Sequence, residues 1–356
     1  MNCRRSGALL VLSSCVMLFS GCYLLKQGVF MLKYSTRAVP IQRIVARPET
    51  SDSLKQFLNL VTEIRTFAHD SIGLAKNKNY STYVSIDKAY LIDAVCACGP
   101  LDFTSYTWCY PLFGCWPLRG YFDKQDAKKE AERLSNKGFD VYIGRVDAFS
   151  SLGFFSDPVY SFMRDFSVYS IADLIIHEQT HATIYVKNQV DFDEELATFM
   201  GSEGALWFIR SKFGPNSEAY ENALKLSKDN VTYYRLAKAL YEKLLVVYTD
   251  SAMARPVKLA KKHDIIEGFK DSLSRNYDSI FQTKAYRGLE KTTINNACIA
   301  VDMTYSIDLG LFYELYAQNR RDLRATLALI LPLKKKSGNY KQNMRELLLP
   351  THKEDL

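Results

Sequence analysis

The chemistry of this chain centres on an HExxH motif, His177-Glu178-Gln179-Thr180-His181, which holds two of the five histidines. On an α-helix, residues four apart lie on one face, so the two imidazoles can bind a single metal ion. Glu178 is offset around the helix, where its carboxylate can reach a metal-bound water without becoming a ligand. Zinc lowers the pKa of such a water to about 7, and a carboxylate can then take its proton as it attacks a carbonyl carbon. The motif therefore predicts the hydrolytic chemistry of a zinc peptidase, with one Zn²⁺ per chain.

The residues around the motif predict that it lies on a buried helix. The segment Ser170 to Asp173 has the residue types of a helix start. Buried histidines and a buried glutamate are costly unless they bind something, which favours a metal site over two surface histidines. The motif has apolar residues on both sides: Leu174, Ile175, Ile176, Ala182, Ile184 and Val186.

A catalytic zinc needs a third protein ligand and one open position. A second helix is predicted to start with Asp193 as its N-cap. The six residues from Lys187 to Phe192 are enough to turn the chain, so that this helix packs antiparallel to the first and directs a glutamate at the histidines. The spacing admits Glu194, Glu195 and, two turns later, Glu203, in that order of preference.

The elements that must position these residues form an α+β chain, with a small sheet region first and a mainly helical half after it. Residues 79–123 have the composition of extended segments, and from Ser170 onward the apolar residues recur at helical spacing. We expect residues 22–168 to form an N-terminal α+β part and 169–356 a helical part that carries the motif, the two making one catalytic unit. Individual elements are predicted as helices at Ser53–Ala68 and Lys124–Lys137 and a strand at Phe139–Arg145.

Length and composition are those of a globular protein and exclude one class of partner. The 356 residues are 47% hydrophobic and 24% charged, which is neither disordered nor fibrous. The net charge is +7, but no block of lysine and arginine is long enough to bind a nucleic acid backbone. We therefore expect no nucleic-acid partner.

The N-terminus predicts export and a lipid anchor. A basic head, Met1 to Arg5, precedes an apolar run of 13 residues from Ala8 to Ser20, which is too short to span a bilayer. The following Gly21-Cys22 resembles a bacterial lipoprotein cleavage box, although Phe19 stands where leucine is usual. We expect residues 1–21 to be removed as a signal peptide and Cys22 to be lipidated, with a plain secretory signal or an uncleaved anchor as the alternatives. The domain would then be tethered to a membrane of the cell envelope, facing the periplasm or on the outer membrane.

Processing at Cys22 leaves five further cysteines, Cys96, Cys98, Cys109, Cys115 and Cys298. Cys109 and Cys115 are close enough in sequence for a disulfide to close the loop between them in an oxidising envelope. The spacing of the cysteines differs from that of paired CxxC zinc sites, so it disfavours a zinc ion bound by thiolates.

Beyond these patterns, the chain resembles known families. The segment from Phe192 to Ala197 after HExxH is similar to the gluzincin metallopeptidases, a resemblance that implies a gluzincin-like zincin fold and favours Glu194 as third ligand. More closely, the chain from Cys22 to about residue 335 resembles a family of predicted bacterial aminopeptidases, often lipoproteins, which implies removal of N-terminal residues from peptides. The matching blocks are GCYLLKQG at 21–28, EIRTFA at 63–68, WCYPLFGCWPLRGYF at 108–122, VDAFSSLGFFSDPVYS at 146–161, HEQTHATIYVKN at 177–188 and INNACIAVDMTY at 294–305.

Three departures from the gluzincin pattern leave roles open. Asp193 stands where the pattern has asparagine, and Glu195 adds a second carboxylate beside Glu194, which would make a metal site there more anionic or shift the ligand by one residue. The Gly-x-Met-Glu-Asn signature for the substrate amine is absent. Asp147 or Asp157 could hold that amine instead, although Asp157 before Pro158 is better explained as a turn residue. A hydrolytic oxyanion needs a donor besides the metal, for which Tyr305 is the first candidate.

Two other functions stay open at this point. One is a zinc endopeptidase, and the other is a non-catalytic metal-binding lipoprotein that acts in binding or assembly in the envelope. Glu178 argues against the second, because a purely structural zinc site usually has four protein ligands and no free carboxylate beside it.

Overall fold

The computed structural model describes residues 23–110, 114–146, 156–186, 189–305, 309–335 and 338–348, without the side chains of residues 304, 305 and 335. The predicted signal peptide, Cys22 and Asp147 lie outside these residues. Within them, the helices are α1 (23–37), α2 (Ile41–Val45), α3 (Asp52–Phe67), α4 (Lys124–Ser135), α5 (Val168–Thr183), α6 (Val190–Phe213), α7 (Glu218–Thr249), α8 (Arg255–Ile280), α9 (Asn296–Tyr305), α10 (Gly310–Gln318), α11 (Leu323–Ile330) and α12 (Tyr340–Leu348). The strands are β1 (Val39–Pro40), β2 (Thr82–Val84), β3 (Ile92–Cys98), β4 (Trp108–Tyr110), β5 (Gly114–Trp116), β6 (Leu118–Tyr121), β7 (Asp140–Val146) and β8 (Val159–Tyr160).

This arrangement confirms the predicted α+β class. Every strand in the described ranges lies before residue 161, and from α5 onward the described chain is helices and their connections. The predicted helix at Ser53–Ala68 corresponds to α3, the one at Lys124–Lys137 to α4, and the predicted strand at Phe139–Arg145 to β7. None of the helices among the described residues is both long enough and apolar enough to cross a membrane.

The chain divides into two compact units, each assembled from separate stretches of sequence. Unit 1 takes its described residues from Met1–Ala38, Asp87–Phe149 and Thr293–Ala300, and unit 2 takes the remainder. Both units therefore draw segments from the predicted N-terminal part and from the predicted helical part.

Unit 1 is built on β3, of which all seven residues are buried. β3 is the middle strand of an antiparallel sheet with β6 and β7 at its sides. Helix α4 packs Ala127 and Leu134 into a cluster with Val95 of β3. The start of α4 is capped by the Asp123 side chain, which accepts a hydrogen bond from the N–H of Gln125 at 2.8 Å. This cap and the apolar face explain why a helix so rich in charged residues is stable at this position.

A disulfide closes the β4–β5 hairpin of unit 1. The two strands are antiparallel, Cys109 lies directly opposite Cys115, and their sulfur atoms are bonded. Cys96, Cys98 and Cys298 are buried thiols.

Unit 2 carries the HExxH helix. Helices α5 and α6 pack along each other, while α3 and α7 also contact α5, and α7 and α11 contact α6. A small sheet has β2 in the middle, antiparallel to β1 and parallel to β8. Helix α5 thus lies among other helices, in agreement with the apolar residues around its motif.

Two predicted helix starts are wrong. Helix α5 begins at Val168, two residues before Ser170. Its N-cap is Ser167, whose side chain accepts a hydrogen bond from the Ser170 N–H at 3.0 Å. Helix α6 begins at Val190 after Gln189, so Asp193 lies inside the helix and is not its N-cap. The sequence offers several polar residues near each start, and only packing selects the one that caps.

Candidate metal centre

Helix α5 places the two histidines of the motif side by side. His177 and His181 are one turn apart, with a distance of 3.1 Å between their Nε2 atoms. The opposite side of the helix is anchored by fully buried residues such as Ile175 and Ile176. Because that side is locked in the core, the two imidazoles are held on the remaining face and directed at α6.

Helix α6 brings one carboxylate to the histidines. The Glu194 Oε2 atom lies 3.6 Å from His177 Nε2, and its Oε1 atom lies 3.6 Å from His181 Nε2. One ligand atom from each of the three residues lies within 4.8 Å of the others, and all three side chains are partly exposed. His177, His181 and Glu194 therefore form a group that can hold a metal ion.

The other two glutamates considered as third ligand lie elsewhere. Glu195 is buried, and its Oε1 atom accepts a hydrogen bond from Lys341 Nζ of α12 at 2.5 Å. Glu203 is hydrogen-bonded to the side chains of Tyr313 and Tyr316. Adjacent helical residues point about 100° apart, so Glu194 and Glu195 cannot both face α5.

The two helices are antiparallel, and small residues bring them close together. Glu194 of α6 lies by His181, whereas Ser202, further along α6, bonds to Tyr169 near the start of α5. At Gly201, a Cβ atom would lie 2.5 Å from Asp173 Oδ1 and 3.2 Å from the Cβ of His177. Only glycine allows this approach, which sets the distance from the histidines to the ligand on α6.

Asp193 shapes the connection between the two helices. Its carboxylate accepts hydrogen bonds from the Val186 N–H at 2.9 and 3.1 Å. Burial raises the pKa of Asp193 to about 6, the hydrogen bond from Val186 opposes this, and the Glu194 charge adds to it. Asp193 therefore ties the chain leaving α5 to the start of α6, one residue before the ligand.

The electrostatics of the group show a site suited to a cation. Burial and the neighbouring His177 lower the pKa of His181 to about 4, which leaves its imidazole neutral with a lone pair for a metal. Burial, the largest single influence, lowers the pKa of His177 as well, but the Glu194, Glu178 and Asp173 carboxylates together raise it and the net shift is upward. The two histidines reduce the pKa of Glu194 despite its burial.

Glu178 lies beside this group and is partly buried. Burial raises the pKa of its carboxyl, the His177 charge opposes that shift, and the Glu194 charge adds to it. A carboxylate with a raised pKa is a stronger base than an exposed one, which suits it to accept a proton near neutral pH.

Two neighbours of the site were missed by the sequence reasoning. Asp173 lies one turn before His177, its charge acts on that histidine, and burial raises its pKa to about 6. Its spacing of four residues before His177 was a usable signal, because it puts the carboxylate on the same face of the helix. Tyr80 is buried at the end of a loop that lies far from the motif in sequence, and the Glu178 charge contributes to raising the pKa of its phenol. No sequence spacing could have indicated that second contact.

The other predicted residues do not belong to the described group of His177, His181 and Glu194. Asp157 is in unit 2 just before β8, and its N–H donates to Asn79 Oδ1 at 3.3 Å, as a turn residue would. Tyr305 ends helix α9, and its side chain lies outside the described part, so its role stays a prediction. Cys109 and Cys115 belong to unit 1.

Comparison with known proteins gives one match. No curated protein and no solved structure matches the chain. A family model with the description "Putative aminopeptidase" matches residues 22–345, which include the motif and Glu194. Because this match covers most of the sequence, the chain belongs to that putative aminopeptidase family.

Proposed function

We propose that this protein is a zinc-dependent peptidase that removes N-terminal residues from peptides in the cell envelope. The observation that carries the proposal is the convergence of His177, His181 and Glu194, with Glu178 beside them on the same helix. Membership of the aminopeptidase family indicates peptide hydrolysis.

The residues present fit a catalytic zinc ion. Two imidazole nitrogens and one carboxylate oxygen are the ligand types of zinc hydrolases, and three protein ligands leave a fourth position open. The pKa of the His181 imidazole is low enough for it to be neutral at physiological pH, as a ligand must be. When bound, zinc would acidify a coordinated water and polarise the substrate carbonyl.

Glu178 would carry the proton during the reaction. Its carboxylate takes a proton from the attacking water and then delivers it to the amine nitrogen that leaves as the peptide bond breaks. Burial raises the pKa of Glu178, which makes its carboxylate a better acceptor for the proton of the water and lets it hold that proton until the amine takes it. Asp173 would act through His177, because a carboxylate near a ligating histidine orients the ring and increases its basicity.

Substitution of Glu178 tests the enzymatic part of the proposal. The purified protein should bind about one zinc per chain, and chelation should abolish hydrolysis until zinc is restored. Glu178→Gln should retain zinc and lower kcat by a factor of about 10² to 10⁴, the range for a general base. Glu195→Gln is the matched control, because it makes the same change on α6 away from the group, and its kcat should be unchanged.

Each other outcome has a definite meaning. If Glu178→Gln loses zinc, Glu178 is a ligand and its assigned role is wrong. If the wild type holds zinc yet cleaves no member of a diverse peptide library, a non-catalytic metal-binding role replaces the peptidase. Free and N-acetylated peptides separate the two peptidase types, since equal cleavage of both would identify an endopeptidase.

The envelope location is supported by the first helix of the described structure. Helix α1 follows directly after Cys22 and packs one side into unit 1, where Phe30 stacks on Phe122 with ring centroids 5.5 Å apart. Three apolar residues at spacing i, i+4 and i+7 form a stripe that stays in solvent: Leu25 is 72% exposed, Val29 59% and Leu32 61%. An exposed apolar stripe next to a lipid-bearing residue is suited to the membrane surface.

Labelling in bacterial cells tests this anchor. The full chain should incorporate labelled palmitate and fractionate with membranes, whereas Cys22→Ala should incorporate none. Cys15→Ala is the matched control, because it removes a cysteine from the apolar run that precedes the cleavage position. Label retained in Cys22→Ala would show that the lipid is attached elsewhere, or that this segment is not a lipoprotein signal.

A further inference from the structure

Tyr80 combines two features that are rare in proteins. Its side chain is buried, with 1% exposure, and its hydroxyl has no hydrogen-bond partner among the described residues. Its backbone also has a φ of +56°, in the left-handed region that favours glycine. A buried orphan hydroxyl and a left-handed tyrosine are each unfavourable, and such features persist where the surroundings enforce them, often at functional sites.

The backbone around Tyr80 is held by specific contacts. The Tyr80 N–H donates to the carbonyl of Asp157 at 2.5 Å. The carbonyl of the preceding Asn79 accepts a hydrogen bond from Arg65 Nε of α3 at 2.7 Å, and Arg65 NH2 donates to the carbonyl of Asn77 at 3.0 Å. Because these bonds fix Tyr80 and the residues just before it, the phenol is held in its buried position despite its unfavourable backbone.

The charge of Glu178, the base of the proposed reaction, acts on the Tyr80 phenol. After burial itself, the Glu178 charge is the largest influence that raises the pKa of Tyr80, ahead of Asp157 and Tyr160. The hydroxyl therefore keeps its proton and can act as a donor. The Glu178 carboxylate, for its part, receives no hydrogen bond from the described residues. Among the described residues, a buried donor without an acceptor thus lies near a partly buried acceptor without a donor.

We propose that Tyr80 is a positioning residue for Glu178, and that its hydroxyl donates a hydrogen bond to the Glu178 carboxylate when metal and substrate occupy the site. This inference rests on the proposed peptidase function. The bond would hold the carboxylate toward the attacking water and limit the orientations that it can adopt.

Removal of the hydroxyl alone separates this role from a structural one. Because the Tyr80 hydroxyl has no partner among the described residues, zinc-free Tyr80→Phe should unfold at the same temperature as the zinc-free wild type or higher, since the variant buries no unpaired polar atom. Its zinc affinity should stay within twofold, because no ligand changes. Its kcat should fall at least tenfold while KM stays within twofold. This combination of unchanged or increased stability with reduced turnover is not expected for a residue that only fills the core.

Tyr83→Phe is the matched control. Tyr83 lies three residues further on, in β2, and is also buried. The control should match the wild type in kcat and zinc affinity. A clear drop in the unfolding temperature of Tyr80→Phe would show that the hydroxyl has a structural partner, and a kcat within twofold of the wild type would show that it does not act on Glu178. Either result overturns the proposal.

A binding measurement keeps this test separate from the peptidase proposal. Leucine hydroxamate chelates zinc and needs an acceptor carboxylate beside the metal, so its affinity reports the placement of Glu178 without turnover. If the wild type cleaves no peptide, the peptidase proposal fails, and the hydroxamate then decides the role of Tyr80. Binding to zinc-loaded Tyr80→Phe at least fivefold weaker than to wild type supports the role, and equal binding overturns it.

Discussion

Replacement of Gly201 by alanine should destabilise the protein although it improves helix propensity. In a helix interior, alanine is favoured over glycine by about 1 kcal/mol. At Gly201, however, the new Cβ atom would lie 2.5 Å from Asp173 Oδ1 and 3.0 Å from the Asp173 carbonyl oxygen. Overpacking of this kind costs about 1–3 kcal/mol. The sum is a net loss of about 1 kcal/mol in the free energy of unfolding, with α5 and α6 moved apart.

Two further glycines provide controls for the same substitution. At Gly268 in α8, a Cβ atom meets nothing within 4 Å, so Gly268→Ala should stabilise by about 1 kcal/mol. At Gly204 the nearest atoms are side-chain methyl carbons of Ile72 and Ile176, at 2.9 to 3.1 Å. These can rotate more easily than backbone can shift, so Gly204→Ala should cost less than Gly201→Ala.

Urea unfolding of the zinc-free proteins, together with zinc titration, measures these effects. In Gly201→Ala, zinc affinity should fall by about tenfold, because Asp173 and His177 must both move and perturbed partners of metal ligands cost about 10–100-fold. The Gly204 and Gly268 variants should bind zinc as the wild type does. Gly201→Ala with wild-type stability and zinc affinity would refute the reasoning that close helix contact at this glycine sets the geometry of the site.

Three further predictions concern individual side chains. Glu194→Gln should weaken zinc binding by more than about 100-fold. Glu195→Gln should leave zinc affinity unchanged and lower only the unfolding free energy. Equal zinc affinities in the two variants would show that the assigned ligand is wrong. Burial raises the pKa of Asp302 to about 6. Between pH 4 and 6 the folded state therefore keeps a proton on this carboxyl that the unfolded state has released. Because the unfolded state binds fewer protons, the unfolding free energy should fall by about 2–3 kcal/mol between pH 4 and 7. Asp302→Asn should lack that part of the pH dependence, as urea unfolding at each pH would measure, and identical pH profiles would contradict the burial argument. Burial raises the pKa of Cys96 to about 12, so iodoacetamide at pH 8 should alkylate this thiol only when urea unfolds the protein. Rapid labelling of Cys96 in the native protein, measured by mass spectrometry, would contradict its buried position.

Local sequence patterns predicted the helices well where one apolar face and one cap dominate. Helix α3 starts after Ser51, whose side chain accepts from the Leu54 N–H, and its predicted range is within one residue of the observed one. The HExxH motif predicted that His177 and His181 converge, because the distance between them depends only on the geometry of one helix. Contacts within a single turn can be derived from the sequence without knowledge of the fold.

The start of α6 was predicted less well, since several polar residues compete there. Asp193 has the residue type of an N-cap, but it hydrogen-bonds back to Val186 and lies within the helix. That bond exists only because α5 and α6 are already antiparallel. A rule based on local sequence cannot predict that the Asp193 carboxylate accepts a hydrogen bond from the chain that connects the two packed helices.

The sequence by itself determined the pair of histidines, the glutamate between them in the motif and the class of the fold. It left three glutamates open as third ligand, because the direction in which each residue of α6 points relative to α5 depends on how the two helices pack. In the tertiary structure, helices that approach closely at Gly201 bring the Glu194 carboxylate to the histidines, whereas Glu195 bonds to Lys341. It also brought Tyr80 near Glu178 from almost a hundred residues away. Such a contact is set by the packing of side chains in three dimensions, which periodicity and spacing along one chain do not encode.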